Sequence, residues 1–200
     1  MGLRMERQQP LVPADQIPAS SPETSVELVH LFDKFRAVRA FILDVDGVLT
    51  DNTVHVTESG EQLRRMSIRD GLGLKIALKN GFQVCIITGG RSQGVIKRLA
   101  GLGIEHVYSG VEDKWPVFQQ FLRTFNLKAS EICYMGDDLP DLQILQKVGL
   151  SACPSDAVAE IRSTVDYISP LAGGSGCVRD VVEKVLKTQD KWTGFVPAAT

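Results

Sequence analysis

Short apolar runs alternate along the chain with longer stretches whose apolar residues recur at helical spacing. Residues 38–43, 82–87, 104–108, 132–135, 149–153 and 166–168 are brief and lie next to turn-forming residues, the pattern of strands. Phe41-Ile42-Leu43 and its counterparts are apolar at successive positions, as expected of strands buried on both faces. Helical periodicity runs over 25–39, 74–78, 93–99, 115–125, 142–148, 157–164 and 181–187. This strand–helix alternation predicts an α/β fold, a Rossmann-like parallel sheet.

One stretch departs from the alternation. Thr53-Val54-His55-Val56-Thr57 is β-rich, Glu58-Ser59-Gly60-Glu61 is turn-like, and 62–68 can return as a second strand. This predicts a β-hairpin flap over about 53–68. A lone hairpin is marginally stable, so it is expected to pair with copies from other subunits. No segment is long enough to form a large cap domain. Residues 1–24, with Pro10, Pro13, Pro18 and Pro22, read as a flexible leader. Residues 25–188 then form a single domain and 189–200 a loose tail.

Composition narrows the function. The 22 basic and 24 acidic residues give a net charge of −2, which argues against nucleic acid or an anionic membrane surface as partner. Cys85, Cys133, Cys153 and Cys177 lack any CxxC spacing and read mainly as small core residues. No apolar run spans a bilayer and no signal-peptide run opens the chain, so the expected location is the cytoplasm.

Candidate chemistry gathers at the strand ends. Asp44 and Asp46 follow Phe41-Ile42-Leu43 at the carboxyl edge of the sheet, where α/β proteins bind ligands. One carboxylate can attack phosphorus while the other handles protons, with a hard divalent cation offsetting the charge. An Asx-type turn is the structural alternative. Thr88 can donate its hydroxyl to a phosphoryl oxygen, assisted by the Gly89 and Gly90 amides, or can simply cap the next helix. Lys114 can bridge carboxylate and phosphoryl group, or be a solvated lysine. Asp137, Asp138 and Asp141 crowd one loop, which favours Mg²⁺ there with Asp137 as ligand and the other two as supports. An N-cap cluster would explain only one or two of the three. His55, Arg64 and Arg65 read as surface residues of the flap, although one arginine can reach a substrate anion. Asp70 is an N-cap candidate and Asn80-Gly81 a helix stop.

Four stretches, in order, resemble the signatures of the haloacid-dehalogenase-like (HAD) phosphatases. They are Asp44-Val45-Asp46-Gly47-Val48-Leu49-Thr50, Ile86-Ile87-Thr88-Gly89-Gly90-Arg91, Lys114, and Gly136-Asp137-Asp138-Leu139-Pro140-Asp141. With the hairpin, Ile68-Arg69-Asp70-Gly71 and Ala172-Gly173-Gly174-Ser175-Gly176-Cys177-Val178-Arg179-Asp180, the chain is similar to the 3-deoxy-D-manno-octulosonate 8-phosphate phosphatases. That resemblance implies a homotetramer whose neighbouring subunits cap each active site, and release of the free sugar acid for lipopolysaccharide. It implies Asp44 as nucleophile, Asp46 as general acid/base, and Thr88, Gly89 and Lys114 on the phosphate. Asp44, the Asp46 carbonyl and Asp137 would hold Mg²⁺. Gly90, Arg64, Arg69, Asp70 and Arg91 are candidate substrate contacts, Arg64 toward a neighbour's substrate. Many members of that family read Thr-Gly-Arg at the second signature, where this chain has Thr88-Gly89-Gly90-Arg91. Alternatives on the same fold are a phosphatase for a nine-carbon keto-deoxy sugar acid 9-phosphate, a phosphomutase, and a non-catalytic interaction module.

Overall fold

The computed structural model describes residues 22–192. The expected leader therefore falls mostly, and the end of the expected tail wholly, outside the described residues. The elements follow one another as α1 (Pro22–Ala37), β1 (Ala40–Leu43), β2 (His55–Val56), β3 (Gln62–Leu63), α2 (Ile68–Lys79) and β4 (Gln83–Thr88). Then come α3 (Gln93–Ala100), β5 (His106–Ser109), α4 (Lys114–Phe125), β6 (Ile132–Met135) and α5 (Leu142–Leu145). The last are β7 (Leu150–Cys153), α6 (Ala159–Arg162), β8 (Tyr167–Ile168) and α7 (Cys177–Thr188). Six strands form one sheet in the order β5-β4-β1-β6-β7-β8, and every neighbouring pair is parallel.

The period-2 geometry of a strand explains why these segments read as unbroken apolar runs. Phe41 and Leu43 enter one core with Val84, Ile86, Cys133 and Met135, beneath α1, α2, α3 and α7. Ala40 and Ile42 enter the other with Cys85, Ile87, Ile132 and Tyr134, beneath α4, α5 and α6. Both faces are covered, so a polar group within a strand needs a buried partner, as the Tyr134 hydroxyl has in Asp141 and the Ser151 hydroxyl in Asp166. The four cysteines are buried and free, as core residues should be.

Strand register sets the site. Leu43 pairs with Ile86 on one side and Met135 on the other, so Asp44, Thr88 and Asp137 leave the sheet at about one level. The chain runs from β1 outward to β4 and β5, then returns to β6 on the opposite side of β1. This places Asp44 at the switch point where open α/β sheets hold ligands.

Several boundaries differ from expectation. The flap pairs only His55–Val56 with Gln62–Leu63, plus one bridge from Thr50 to Met66 at its base. Its return strand is cut short because Ser67 caps α2, accepting a hydrogen bond from the Asp70 amide at 3.3 Å. Asp70 is thus not the N-cap but a buried residue of the first helical turn. The helix does stop at Asn80. The last helix begins at Cys177, earlier than its apolar pattern suggests. The tail is not loose at its start: Gln189 Nε2 donates to Phe35 O at 3.2 Å and Val38 O at 2.8 Å, and Trp192 packs on the core. Among the described residues no helix is long and apolar enough to cross a membrane.

Gly149 illustrates how little slack the sheet leaves. A Cβ there would overlap the Ser130 main-chain carbonyl, which cannot swing aside as a side chain can. Gly149→Ala is expected to lower the unfolding free energy by about 1–3 kcal/mol. Gly101→Ala, at a helix end with φ −66° and only ordinary contacts, should instead be neutral or raise it by about 0.4–1 kcal/mol. Urea melts of the two variants check this, and indistinguishable midpoints would defeat the packing argument.

Candidate active site

The centre of the site is a buried ammonium. Lys114 opens α4, whose N-cap is Asp113, and its side chain turns inward until only 5% remains exposed. Nζ lies 3.0 Å from Asp44 Oδ2 and 2.7 Å from Asp141 Oδ1. Asp141 also accepts from the Tyr134 hydroxyl at 2.6 Å, while its Oδ2 accepts from the Asp137 amide at 3.2 Å. Asp44 Oδ1 accepts from the Val45 amide at 2.7 Å. Burial opposes the charge on Lys114, yet Asp141 and Asp44 outweigh it and raise its pKa. Burial, then Asp141, push the Tyr134 phenol well above its ordinary range, so it serves as donor.

One oxygen of each of Asp44, Asp137 and Asp141 lies within 4.8 Å of the others. The three carboxylates outnumber the single ammonium. Burial pushes Asp44 up to about 6, with Asp141 adding to the shift. Burial, then Asp44 and Asp141, push Asp137 up to about 7. Asp137 Oδ1 is buried without any hydrogen-bond partner. A buried anionic oxygen without a donor is costly, and a divalent cation is what such a set accommodates. Both Asp141 oxygens are already engaged by Lys114, Tyr134 and the Asp137 amide. Asp141 thus meets three donors, Asp44 one on each oxygen and Asp137 Oδ1 none, so Asp137 and then Asp44 have acceptor capacity to spare, and Asp141 organises them.

Glycines make room for this crowding. Gly47 has φ +84°, and a Cβ there would overlap the Asp137 carboxylate. A Cβ on Gly136 would overlap Asp141. A Cβ on Gly90, just before Arg91, would lie 2.8 Å from Asp46 Oδ2. Thr88 is buried at the end of β4, with its Oγ1 accepting from the Gly90 amide at 3.1 Å. It does not cap α3; Ser92 does, accepting from the Val95 amide at 3.3 Å. Gly89 meets only the Val111 carbonyl, 3.6 Å from where its Cβ would be.

Arg64 is not a solvated charge, and in this chain it does not reach outward. Its side chain is 7% exposed and grips Asp46 of the same chain, Nε to Oδ1 at 2.6 Å and Nη2 to Oδ2 at 3.3 Å. The cause is the short flap: β3 ends one residue earlier, so Arg64 turns back over the first-strand turn. Its Nη1 is buried without a partner. Arg65 pairs with Asp51 at 2.8 Å and stays exposed. Arg91 lies over Gly110, where a Cβ would overlap its guanidinium, and with Arg64 lines a cavity of about 840 Å³ between the flap and α3. Arg69 lines a different cavity, of about 450 Å³, with Leu171, Gly176 and Arg179. The Asp70 carboxylate accepts from the Arg179 amide at 2.7 Å, inside the protein. Neither Arg69 nor Asp70 is in contact with Asp44, Asp46 or Asp137. Asp138 accepts from the Leu139 amide at 2.7 Å and caps the short turn that carries Asp141. Tyr134 was the residue sequence reasoning missed; its one signal is a phenol in an otherwise apolar strand, which must find an acceptor when buried.

Comparison with known proteins bears on this geometry. No protein-family model matches the chain. It is 39% identical over 162 residues to the 3-deoxy-D-manno-octulosonate 8-phosphate phosphatase KdsC of Salmonella typhi, covering 81% of this chain and 86% of that one. Among solved structures it superposes on an HAD-superfamily (subfamily III A) hydrolase of Legionella pneumophila with a TM-score of 0.84 and 38% identity, covering 86% of this chain and 94% of that one. It also superposes on the 3-deoxy-D-manno-octulosonate 8-phosphate phosphatase of Moraxella catarrhalis in complex with magnesium, phosphate and KDO. There the TM-score is 0.80 and the identity 33%, over 82% of this chain and 95% of that one. A parallel α/β core with only a hairpin flap, carboxylates at its switch point and this degree of likeness lead to one conclusion: the chain belongs to the 3-deoxy-D-manno-octulosonate 8-phosphate phosphatase family of the HAD superfamily.

Proposed function

We propose that the chain hydrolyses 3-deoxy-D-manno-octulosonate 8-phosphate to the free eight-carbon sugar acid and inorganic phosphate, with Mg²⁺ as cofactor, in lipopolysaccharide precursor synthesis. One observation carries this reading: in a chain of this family, Lys114 is shared by Asp44 and Asp141 beside an Asp137 oxygen that no protein group satisfies. The magnesium, phosphate and KDO of the Moraxella relative support the choice of cofactor and substrate.

Asp44 is the nucleophile. Its carboxylate oxygen bonds to phosphorus as the bond from phosphorus to the sugar oxygen breaks, and Asp46 supplies a proton to that leaving oxygen. Asp46 then takes a proton from water, whose oxygen attacks the aspartyl-phosphate and frees Asp44. Lys114, the Thr88 hydroxyl and the amides of Gly89 and Gly90 hold the phosphoryl oxygens as negative charge gathers. Asp44, Asp137 and the Asp46 main-chain carbonyl would hold Mg²⁺, which would keep the carboxylates ionised and offset the phosphate charge. The cavity beside Arg64 and Arg91 offers space and positive charge for the sugar acid's own carboxylate.

The same reading makes the working enzyme a cytoplasmic homotetramer whose neighbouring subunits cap each site. Val56 and Leu63 on the two faces of the flap, and Ile68 beside it, are 65%, 54% and 81% exposed, apolar side chains that a neighbouring subunit would cover. Light scattering on the eluting protein is expected to give four subunits; a monomer would remove the capping role.

Asp44→Asn is expected to cut phosphate release from the eight-carbon substrate at least about a thousandfold while leaving circular dichroism and elution volume unchanged. Turnover near wild type would exclude Asp44 as nucleophile. Wild type preferring the nine-carbon 9-phosphate in the same assay would keep the mechanism and change the substrate.

The two raised carboxyls also set a pH dependence. In the metal-free protein Asp44 titrates at about 6 and Asp137 at about 7, both above the ordinary 3.8. The folded state then holds protons that the unfolded state has released. Both groups thus favour folding at low pH and cost stability as pH climbs from about 4 past about 7. Mg²⁺ requires both ionised and removes that cost. The Mg²⁺-induced rise in melting temperature should therefore be larger at about pH 8 than at about pH 5.5. A rise independent of pH would exclude these carboxylates as ligands.

A further inference from the structure

Two segments that the catalytic roles leave unused, Arg69-Asp70-Gly71-Leu72-Gly73 and Ala172-Gly173-Gly174-Ser175-Gly176, meet behind the site. The first turn of α7 has no cap of its own: Gly176 occupies the cap position at φ +111° and has no side chain to offer. Asp70 supplies the cap from α2, its Oδ1 accepting from the Arg179 amide at 2.7 Å. Asp70 is 1% exposed and its Oδ2 has no partner, so this contact carries a desolvation cost that a local serine or asparagine cap would avoid. The two helices touch at backbone distance, since a Cβ on Gly73 would lie 3.3 Å from Arg179 Cα.

From α7 the contact chain continues to the metal-binding groups. The Gly174 amide donates to Val48 O at 2.9 Å, and the Cys177 thiol donates to the same oxygen at 3.3 Å. The Gly173 amide donates to Asp156 Oδ1 at 2.9 Å. A Cβ on Gly173 would overlap the Gly47 carbonyl, and a Cβ on Gly47 would overlap the Asp137 carboxylate. Gly173, Gly47 and Asp137 are therefore stacked without slack, and a packed interior transmits a displacement rather than absorbing it.

We propose that Asp70 is a positioning residue for the cation site: by capping α7 it clamps the 172–176 loop against the Asp46–Gly47 turn, and so fixes the Asp46 carbonyl and the Asp137 carboxylate. The inference rests on the metal-site reading above, and the test separates the two. Mg²⁺ is titrated calorimetrically into full-length, chelator-treated protein, with no substrate present, and the metal-free melting temperature is measured alongside. Asp70→Ala should weaken Mg²⁺ binding about tenfold or more, the size of effect seen when groups that orient metal ligands are removed. Asp70→Asn keeps an acceptor for the Arg179 amide and should restore affinity to within about threefold of wild type. Gly173→Ala, at the far end of the clamp, should reproduce the loss, and it carries the test if Asp70→Ala does not fold. Loss of Mg²⁺ affinity should not track the metal-free melting temperature across the three variants. Wild-type affinity in both Asp70→Ala and Gly173→Ala, an Asp70→Asn no better than Asp70→Ala, or no Mg²⁺ binding by wild type would each overturn the clamp. Mg²⁺ binding by wild type with no turnover of any sugar phosphate would overturn the proposed activity and leave the clamp standing.

Discussion

The shared ammonium of Lys114 is the constraint on which the site depends. A buried cation must be matched by buried anions, and Asp44 and Asp141 do this at 3.0 and 2.7 Å. Asp141 is in turn held by Tyr134 and the Asp137 amide, so its position is fixed from three directions. What remains is an excess of negative charge directed at one point, from Asp44 and Asp137. Removing the lysine would leave like charges facing each other in a dry interior. Removing Asp141 would leave the lysine free to neutralise Asp44 alone. The arrangement thus keeps a reactive carboxylate near a cation while sparing enough charge for a second, divalent one.

Those features were legible in the sequence wherever the cause was local. Strands buried on both faces must be apolar at each position, so Phe41-Ile42-Leu43 and Ile86-Ile87 announced themselves. The carboxylates, Thr88 and Lys114 stand just beyond such runs, where a parallel sheet brings separate strand ends together. The reading erred where a partner comes from far along the chain. Nothing near Arg64 says that it will close on Asp46, and nothing near Asp70 says that it will serve a helix beginning at Cys177. The flap was drawn too long because the β-rich residues continue past Leu63, whereas the serine at 67 diverts the backbone into α2. Tyr134 passed as an ordinary strand residue, since only the fold reveals that its hydroxyl meets Asp141.

The glycine at position 90 has a steric meaning that the motif alone did not show. Position 90 sits against the Asp46 carboxylate, so a side chain there would press on that carboxylate. The Arg91 guanidinium settles over Gly110. Positive charge beside the catalytic turn comes instead from Arg64, which already occupies it. The flap is therefore tied to the site by an ion pair as well as by the bridge between Thr50 and Met66.

The strand order has a bearing on how the protein is made. β1 lies between β4, which follows soon after it, and β6, which belongs to the second half of the chain. As the polypeptide leaves the ribosome, β1 can pair with β4 early, but its other edge stays open until β6 emerges. That edge is apolar and unprotected, the kind of surface on which nascent chains aggregate or recruit chaperones. Asp44 is thus synthesised long before Lys114 arrives to pair with it. A chain truncated before β6 would carry Asp44 on a half-built sheet, and the acidic cluster of Asp44, Asp137 and Asp141 is assembled only when the second half of the domain is complete.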